Sequence, residues 1–223
     1  MRYDLRARGL TAAEEGEVAT RLQGGALVIY PTDTLYAIGC CALDGPAVAR
    51  LRAAKGREAD KALPVIAADL EQARSLASPW PDQAQRLADA FWPGPLTLVV
   101  PASATLPKEL LAGARTVAVR VPASETARTL CRLAGPLIST SANLAGDPPC
   151  LTVDPALAAF PPATLALDVG PLKGPPSTIL DLTDAGGGWK LVREGRIPPQ
   201  RIDEALRGLS RVVEVGPGTR NRA

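Results

Sequence analysis

Short apolar runs rich in β-branched residues alternate with helix-patterned segments along most of this chain, and that alternation leaves few folds open. ALVIY (26–30), LPVIA (63–67), LTLVV (96–100), TVAVRV (116–121) and PLIST (136–140) have the length and composition of buried strands. TLALDV, STILDL and WKLVR add three more toward the C-terminus. Between them lie segments with helix start and stop signals. Thr11-x-x-Glu14 is a capping box that opens a helix closed by Gly24 and Gly25, and Ser124 caps a helix over 124–134. Further helices are expected over 46–54, 69–77, 82–91 and 199–209. Helices interleaved with strands predict an α/β protein built on an open, twisted sheet of mixed direction with flanking helices. The Pro-rich stretches 148–162 and 171–176 are expected to be long connections.

With 223 residues, of which 46% are apolar, the chain can bury one substantial core. A single domain over 8–209 is expected, followed by a strand or polar tail over 210–223. The net charge of +2 is too small to argue for a nucleic-acid or membrane surface, so any positive site must be local. No uncharged stretch reads as a membrane span, since the longest, residues 90–107, is broken by four prolines, and the first ten residues are charged throughout. A cytoplasmic location without membrane contact is the expectation. Cys40, Cys41, Cys131 and Cys150 form no C-x-x-C pair and fit reduced core residues, so no protein-held metal is indicated. Histidine is absent. Its absence excludes Ser-His-Asp and Cys-His nucleophiles, His-ligated metals and imidazole proton shuttles. Chemistry here has to rest on charge, positioning or a bound metal.

Four segments put polar residues at strand ends, where α/β proteins place their ligands. PTDTLYAIG (31–39) follows the first buried strand, with hydroxyl and backbone donors for a small polar ligand or for an ordinary turn. KGREADK (55–61) brings Lys55, Arg57 and Lys61 into one connection, a set suited to polyphosphate or to a solvated face. STSAN (139–143) is a hydroxyl-rich turn that could cradle a phosphate through backbone N–H groups, although it lacks a P-loop's glycine spacing. PPSTILDL and LVREG place Ser177 before one strand and Arg193 at the end of the next. Asp33 is a general-base candidate by position alone, and a carboxylate holding its own turn is the simpler account.

Taken together, YPTDTLYAIGC, KGR with DKAL, FWPGPLTLVVPA, VAVRVP, STSANLAGDPPC, PSTILDLT and LVREG resemble the YrdC-like family of threonylcarbamoyl-AMP synthases over nearly the whole chain. The resemblance is to the short, synthase-only form. It implies a YrdC-like fold with a concave ligand cleft and a nucleotidyltransferase that joins L-threonine, bicarbonate and ATP, used with Mg²⁺, into threonylcarbamoyl-AMP. That product feeds a downstream tRNA threonylcarbamoyl transferase complex, with at most weak tRNA contact by this chain. By the same resemblance Thr34, Arg120, Ser139 and Ser177 surround threonine, and Arg57, Lys61, Thr116, Ser141 and Arg193 face ATP. Lys55 with Arg57 matches a K-x-R element and Ser141 with Asn143 an S-x-N element; these four are the catalytic candidates. Glu58 and Ile66 depart from many relatives, at positions that carry Pro and, in longer forms, His. The rival expectation is an RNA-binding member of the same fold without adenylation. A subgroup lacking S-x-N is disfavoured by Asn143, and the carbamoyl-adenylate module of hydrogenase maturation proteins by its missing neighbours.

Overall fold

The computed structural model describes residues 1–56, 63–144, 146–160, 165–184 and 187–207. In chain order they form β1 (Arg2–Asp4), α1 (Ala12–Gln23), β2 (Val28–Pro31), β3 (Tyr36–Gly39), α2 (Gly45–Ala54), β4 (Val65–Ile66), α3 (Leu70–Ser75) and α4 (Asp82–Phe91). There follow β5 (Leu96–Pro101), α5 (Lys108–Leu111), β6 (Thr116–Arg120), α6 (Glu125–Ala134), β7 (Leu137–Ile138), β8 (Thr140–Ser141), α7 (Val153–Ala159), β9 (Leu165–Asp168), β10 (Thr178–Asp181), β11 (Lys190–Arg193) and α8 (Pro199–Leu206).

The capping box of α1 forms as its sequence requires: the Thr11 side chain accepts from the Glu14 N–H, and the Thr11 N–H donates to Glu14 Oε2 at 2.8 Å. Gly25, just past the helix, has φ +80, a left-handed conformation that glycine adopts without strain. Ser124 caps α6 and Asp44 caps α2 through side-chain oxygens.

The strands fall into two open sheets of mixed direction rather than one. The first has the order β1-β9-β2-β3-β8 and the second β11-β10-β5-β6-β4-β7. Their division explains the PLIST run, which was expected as one strand. Leu137 and Ile138 pair with β4 in the second sheet, whereas Thr140 and Ser141 pair with β3 in the first. Ser139 is the crossing point, and its N–H is held by the Pro64 carbonyl at 2.8 Å. Gly39 makes the crossing possible, because a Cβ there would collide with the Ile138 carbonyl oxygen.

Four elements lie where none was expected. β1 precedes residue 8 and forms the edge of the first sheet, paired with β9. β3 occupies the second half of the segment taken as a turn, pairing antiparallel with β2 as the returning arm of a hairpin. α5 is a single short turn of helix. α7 lies inside the Pro-rich stretch 148–162 that was expected to be a plain connection. Its Pro155 is the third helical residue, where the missing N–H has no intrahelical partner to lose. The strand or tail expected over 210–223 lies outside the described residues. Among those described, no helix is long and apolar enough to cross a membrane, and no group of three or more Cys, Asp or Glu could hold a metal ion. All four cysteines are buried and unpaired.

Candidate active site

The hairpin turn between β2 and β3 is organised by one hydroxyl. Thr32 Oγ1 accepts the N–H groups of Thr34 and Leu35, each at 3.1 Å, and lies 2.9 Å from Thr34 Oγ1. Asp33, in the middle of the turn, does not hold it together as expected. Its Oδ1 accepts instead from Arg120 at 2.5 Å and from the Ala123 N–H at 3.2 Å. Thr32 had already taken the local donors, which leaves Asp33 free to reach across.

Arg120 ends β6 and is 6% exposed. Its Nε donates to the Gly94 carbonyl at 2.8 Å and another nitrogen sits 3.5 Å from Thr34 Oγ1. Burial pulls the guanidinium pKa down and Asp33 opposes that pull. Arginine stays charged in either case, so the buried fork is a fixed positive centre with one carboxylate partner.

Further along the same wall, Ser177 stands just before β10. Arg193, at the end of β11, grips it with three hydrogen bonds: Nε and one NH₂ to the Ser177 carbonyl at 3.1 and 2.8 Å, and the same NH₂ to Ser177 Oγ at 3.0 Å. Its pKa is lowered by burial first and by Arg120 second. Thr97 of β5 completes the cluster, 3.0 Å from Ser177 Oγ. Gly195 allows the chain to return this closely, since a Cβ there would collide with the backbone of residues 176–178.

The opposite wall is held by Lys55, the C-terminal cap residue of α2, which is 5% exposed. Its Nζ donates to the carbonyls of Ser141 at 2.5 Å and Asn143 at 2.8 Å, and lies 5.9 Å from the Phe160 ring centroid. Lys55 is thus joined to the S-x-N element through backbone carbonyls. Asn143 Nδ2 donates to the Leu144 and Asp147 carbonyls at 2.8 and 2.7 Å, which fixes the loop beyond it. Asn143 Oδ1, by contrast, is buried with no hydrogen-bond partner among the described residues. An orphaned acceptor in a cleft wall asks for a donor from a ligand.

These walls enclose a cleft of about 660 Å³ between the two sheets, within the usual size of small-molecule sites. Thr34, Lys55, Arg120, Ser139, Ser141, Asn143, Ser177 and Arg193 all line it. Thr116 does not: it shares a strand face with Ala118 and Arg120, but it stands opposite Pro101, two residues beyond the last lining position on β6. Arg57 and Lys61 lie outside the described residues. Thr32 lines the cleft as part of the PTDTLYAIG segment whose hydroxyls were offered to a ligand, whereas Thr97 lines it without having been expected to. For Thr97 a signal was present, since LTLVV contains one hydroxyl in an otherwise apolar run. The described lining holds three cations, seven Ser and Thr residues and no carboxylate, a donor set suited to anionic oxygen.

A family model described as Sua5_yciO_yrdC, telomere recombination, matches residues 20–195. The chain belongs to the Sua5/YciO/YrdC family. Two curated members are similar to it over much of its length. A threonylcarbamoyl-AMP synthase of Pyrococcus abyssi is 40% identical over 190 residues, which are 83% of this chain and 55% of the relative. A putative threonylcarbamoyl-AMP synthase of Mycobacterium leprae is 38% identical over 205 residues, 91% of this chain and 90% of the relative. The chain therefore spans about half the Pyrococcus relative and most of the Mycobacterium one. A crystal structure of P. abyssi Sua5 complexed with L-threonine superposes with a TM-score of 0.86 at 34% identity, covering 100% of this chain and 68% of that one. The two-sheet α/β architecture is the fold of this family.

Proposed function

We propose that this chain is a threonylcarbamoyl-AMP synthase, joining L-threonine, bicarbonate and ATP into threonylcarbamoyl-AMP with release of pyrophosphate. The observation that carries this reading is the cationic cleft, free of carboxylates among the described residues, on a fold shared with a Sua5 that was crystallised with L-threonine. Arg120, with Thr34, Ser139 and Ser177 around it, fits the amino-acid carboxylate and carbamate oxygens. Ser141, Arg193 and the cationic residues Arg57 and Lys61 would take the triphosphate. Thr116 keeps a place in this assignment only if the nucleotide reaches past Ala118.

Bicarbonate supplies CO₂ and hydroxide. The threonine ammonium loses one proton to that hydroxide, its nitrogen attacks CO₂, and the second proton leaves to solvent. The carbamate oxygen then attacks the α-phosphorus as the bond to pyrophosphate breaks. No covalent bond to the protein is needed, and the protein's task is to align the reactants and neutralise spreading negative charge. Asp33 is not needed as a base, since Arg120 already engages it. The lining suits phosphate rather than a bare divalent cation, so Mg²⁺ would enter on the triphosphate as part of the substrate. The adenylate would pass to the transferase that modifies tRNA, with this chain making weak tRNA contact at most.

Incubation with labelled bicarbonate, threonine and ATP should give a labelled adenylate and pyrophosphate only when all three are present. Steady release of ADP would sink the proposal. Salt-sensitive RNA binding without adenylate would favour the RNA-binding alternative.

A further inference from the structure

Thr97 is a hydroxyl buried in a strand that has no packing need for one. Its neighbours on β5 are Leu96, Leu98, Val99 and Val100, the residue is 3% exposed, and valine has the same shape. Among the described residues its hydroxyl has one hydrogen-bond partner, Ser177 Oγ at 3.0 Å. Ser177 Oγ has two lone pairs and one proton to place. The Arg193 guanidinium can only donate, so it fills one lone pair at 3.0 Å. Either hydroxyl can donate to the other, and both line the cleft, so the proton not spent between them faces the space a ligand would fill. Arg193 on one side and Thr97 on the other together fix where the Ser177 hydroxyl sits.

We infer that Thr97 is a positioning residue that holds the Ser177 hydroxyl in place at the threonine subsite. The inference rests on the assignment of Ser177 to the threonine subsite made above.

The test compares Thr97→Val, Thr97→Ser, Ser177→Ala and the Thr97→Val/Ser177→Ala double variant in adenylate formation. Thr97→Val should raise KM for L-threonine about tenfold, with kcat and KM for ATP within about twofold of wild type. Thr97→Ser keeps the hydroxyl and should restore the threonine KM even if its melting temperature falls. The double variant should be no worse than Ser177→Ala, because Thr97 acts only through Ser177. An unchanged KM in Thr97→Val, losses that add in the double variant, or Thr97→Ser as impaired as Thr97→Val would each overturn the inference. If Thr97→Val does not fold, Thr97→Ala against Thr97→Ser makes the same comparison. Calorimetric binding of L-threonine separates the two readings. Wild type that binds threonine but makes no adenylate removes the synthase assignment and still leaves Thr97 testable, whereas wild type that does not bind threonine removes both.

Discussion

The two walls of the cleft hold their polar groups in opposite ways. On the wall formed by β5, β6, β10 and β11, side chains are tied to one another: Arg120 to Asp33, Arg193 to Ser177, and Ser177 to Thr97. On the wall formed by α2 and β8, one ammonium is tied to backbone, Lys55 to the Ser141 and Asn143 carbonyls, and Asn143 Oδ1 remains without a partner. The first wall is set before ligand arrives, so a substitution there should change affinity more than folding. The second depends on a single buried charge for its shape and keeps an acceptor in reserve, so fold and activity should fail together.

The sharpest way to break that contrast is Lys55→Met. It keeps the buried stem but deprives two carbonyls of their donor, each loss costing about 1–3 kcal/mol. Adenylate formation should fall by roughly 100-fold or more and the urea midpoint should drop with it. Loss of activity at unchanged stability would mean that Lys55 works as a ligand group and not as a tie.

Next in size, Arg120→Lys keeps charge but removes the fork that reaches Gly94, Thr34 and Asp33 at once. Threonine binding should weaken by about 10- to 100-fold, read by calorimetry, with a smaller effect on ATP. An equal loss for both ligands would erase the distinction between subsites. Asn143→Ala joins the two behaviours in one residue: losing Nδ2 frees the 143–147 loop, costing roughly 1 kcal/mol in stability, and losing Oδ1 removes the reserved acceptor. The rate should fall further than stability accounts for. If melting temperature falls while the rate at low temperature stays near normal, STSAN is a structural turn.

The smallest effect concerns pH, beneath the second wall. Tyr36 is fully buried, its hydroxyl donates to the Gly170 carbonyl at 2.8 Å, and burial raises its pKa to about 12. Because the folded value lies above the ordinary 10.0, its stabilising contribution is complete below pH 10 and is lost as pH rises toward 12. Tyr36→Phe should flatten the alkaline limb of the stability profile. Asp168 next to it behaves oppositely: burial pushes its pKa up, but hydrogen bonds from Arg2, the Gly170 N–H and Tyr36 hold it below the ordinary 3.8. That contribution is present above pH 3.8 and fades as pH falls through the lower folded value.

Much of this was legible in the residues. Caps and β-branched runs located α1, α6, β5 and β6 because their signals are local, and seven motifs in order carried the family resemblance. What stayed hidden depended on partners far along the chain. β1 is three residues whose only reason to be a strand is β9, more than 160 positions away. PLIST reads as one strand because nothing within five residues says that Ser139 must change sheets. Asp33 shows the same limit in the site. A carboxylate in a turn usually serves that turn, and only the fold reveals that Thr32 does so while Asp33 serves Arg120.

The return of the chain at Gly195 also sets a schedule for synthesis. Thr34 and Lys55 leave the ribosome early, yet the wall they face includes β10 and is closed by Arg193, which belongs, like Ser177, to the last sixth of the described chain. A nascent chain halted before residue 193 can form β2, β3 and α1 but has no finished place for substrate. On the proposed function, a cleft ligand would rescue a weakened variant only after its translation is nearly complete, by binding the finished fold and not by guiding the growing one.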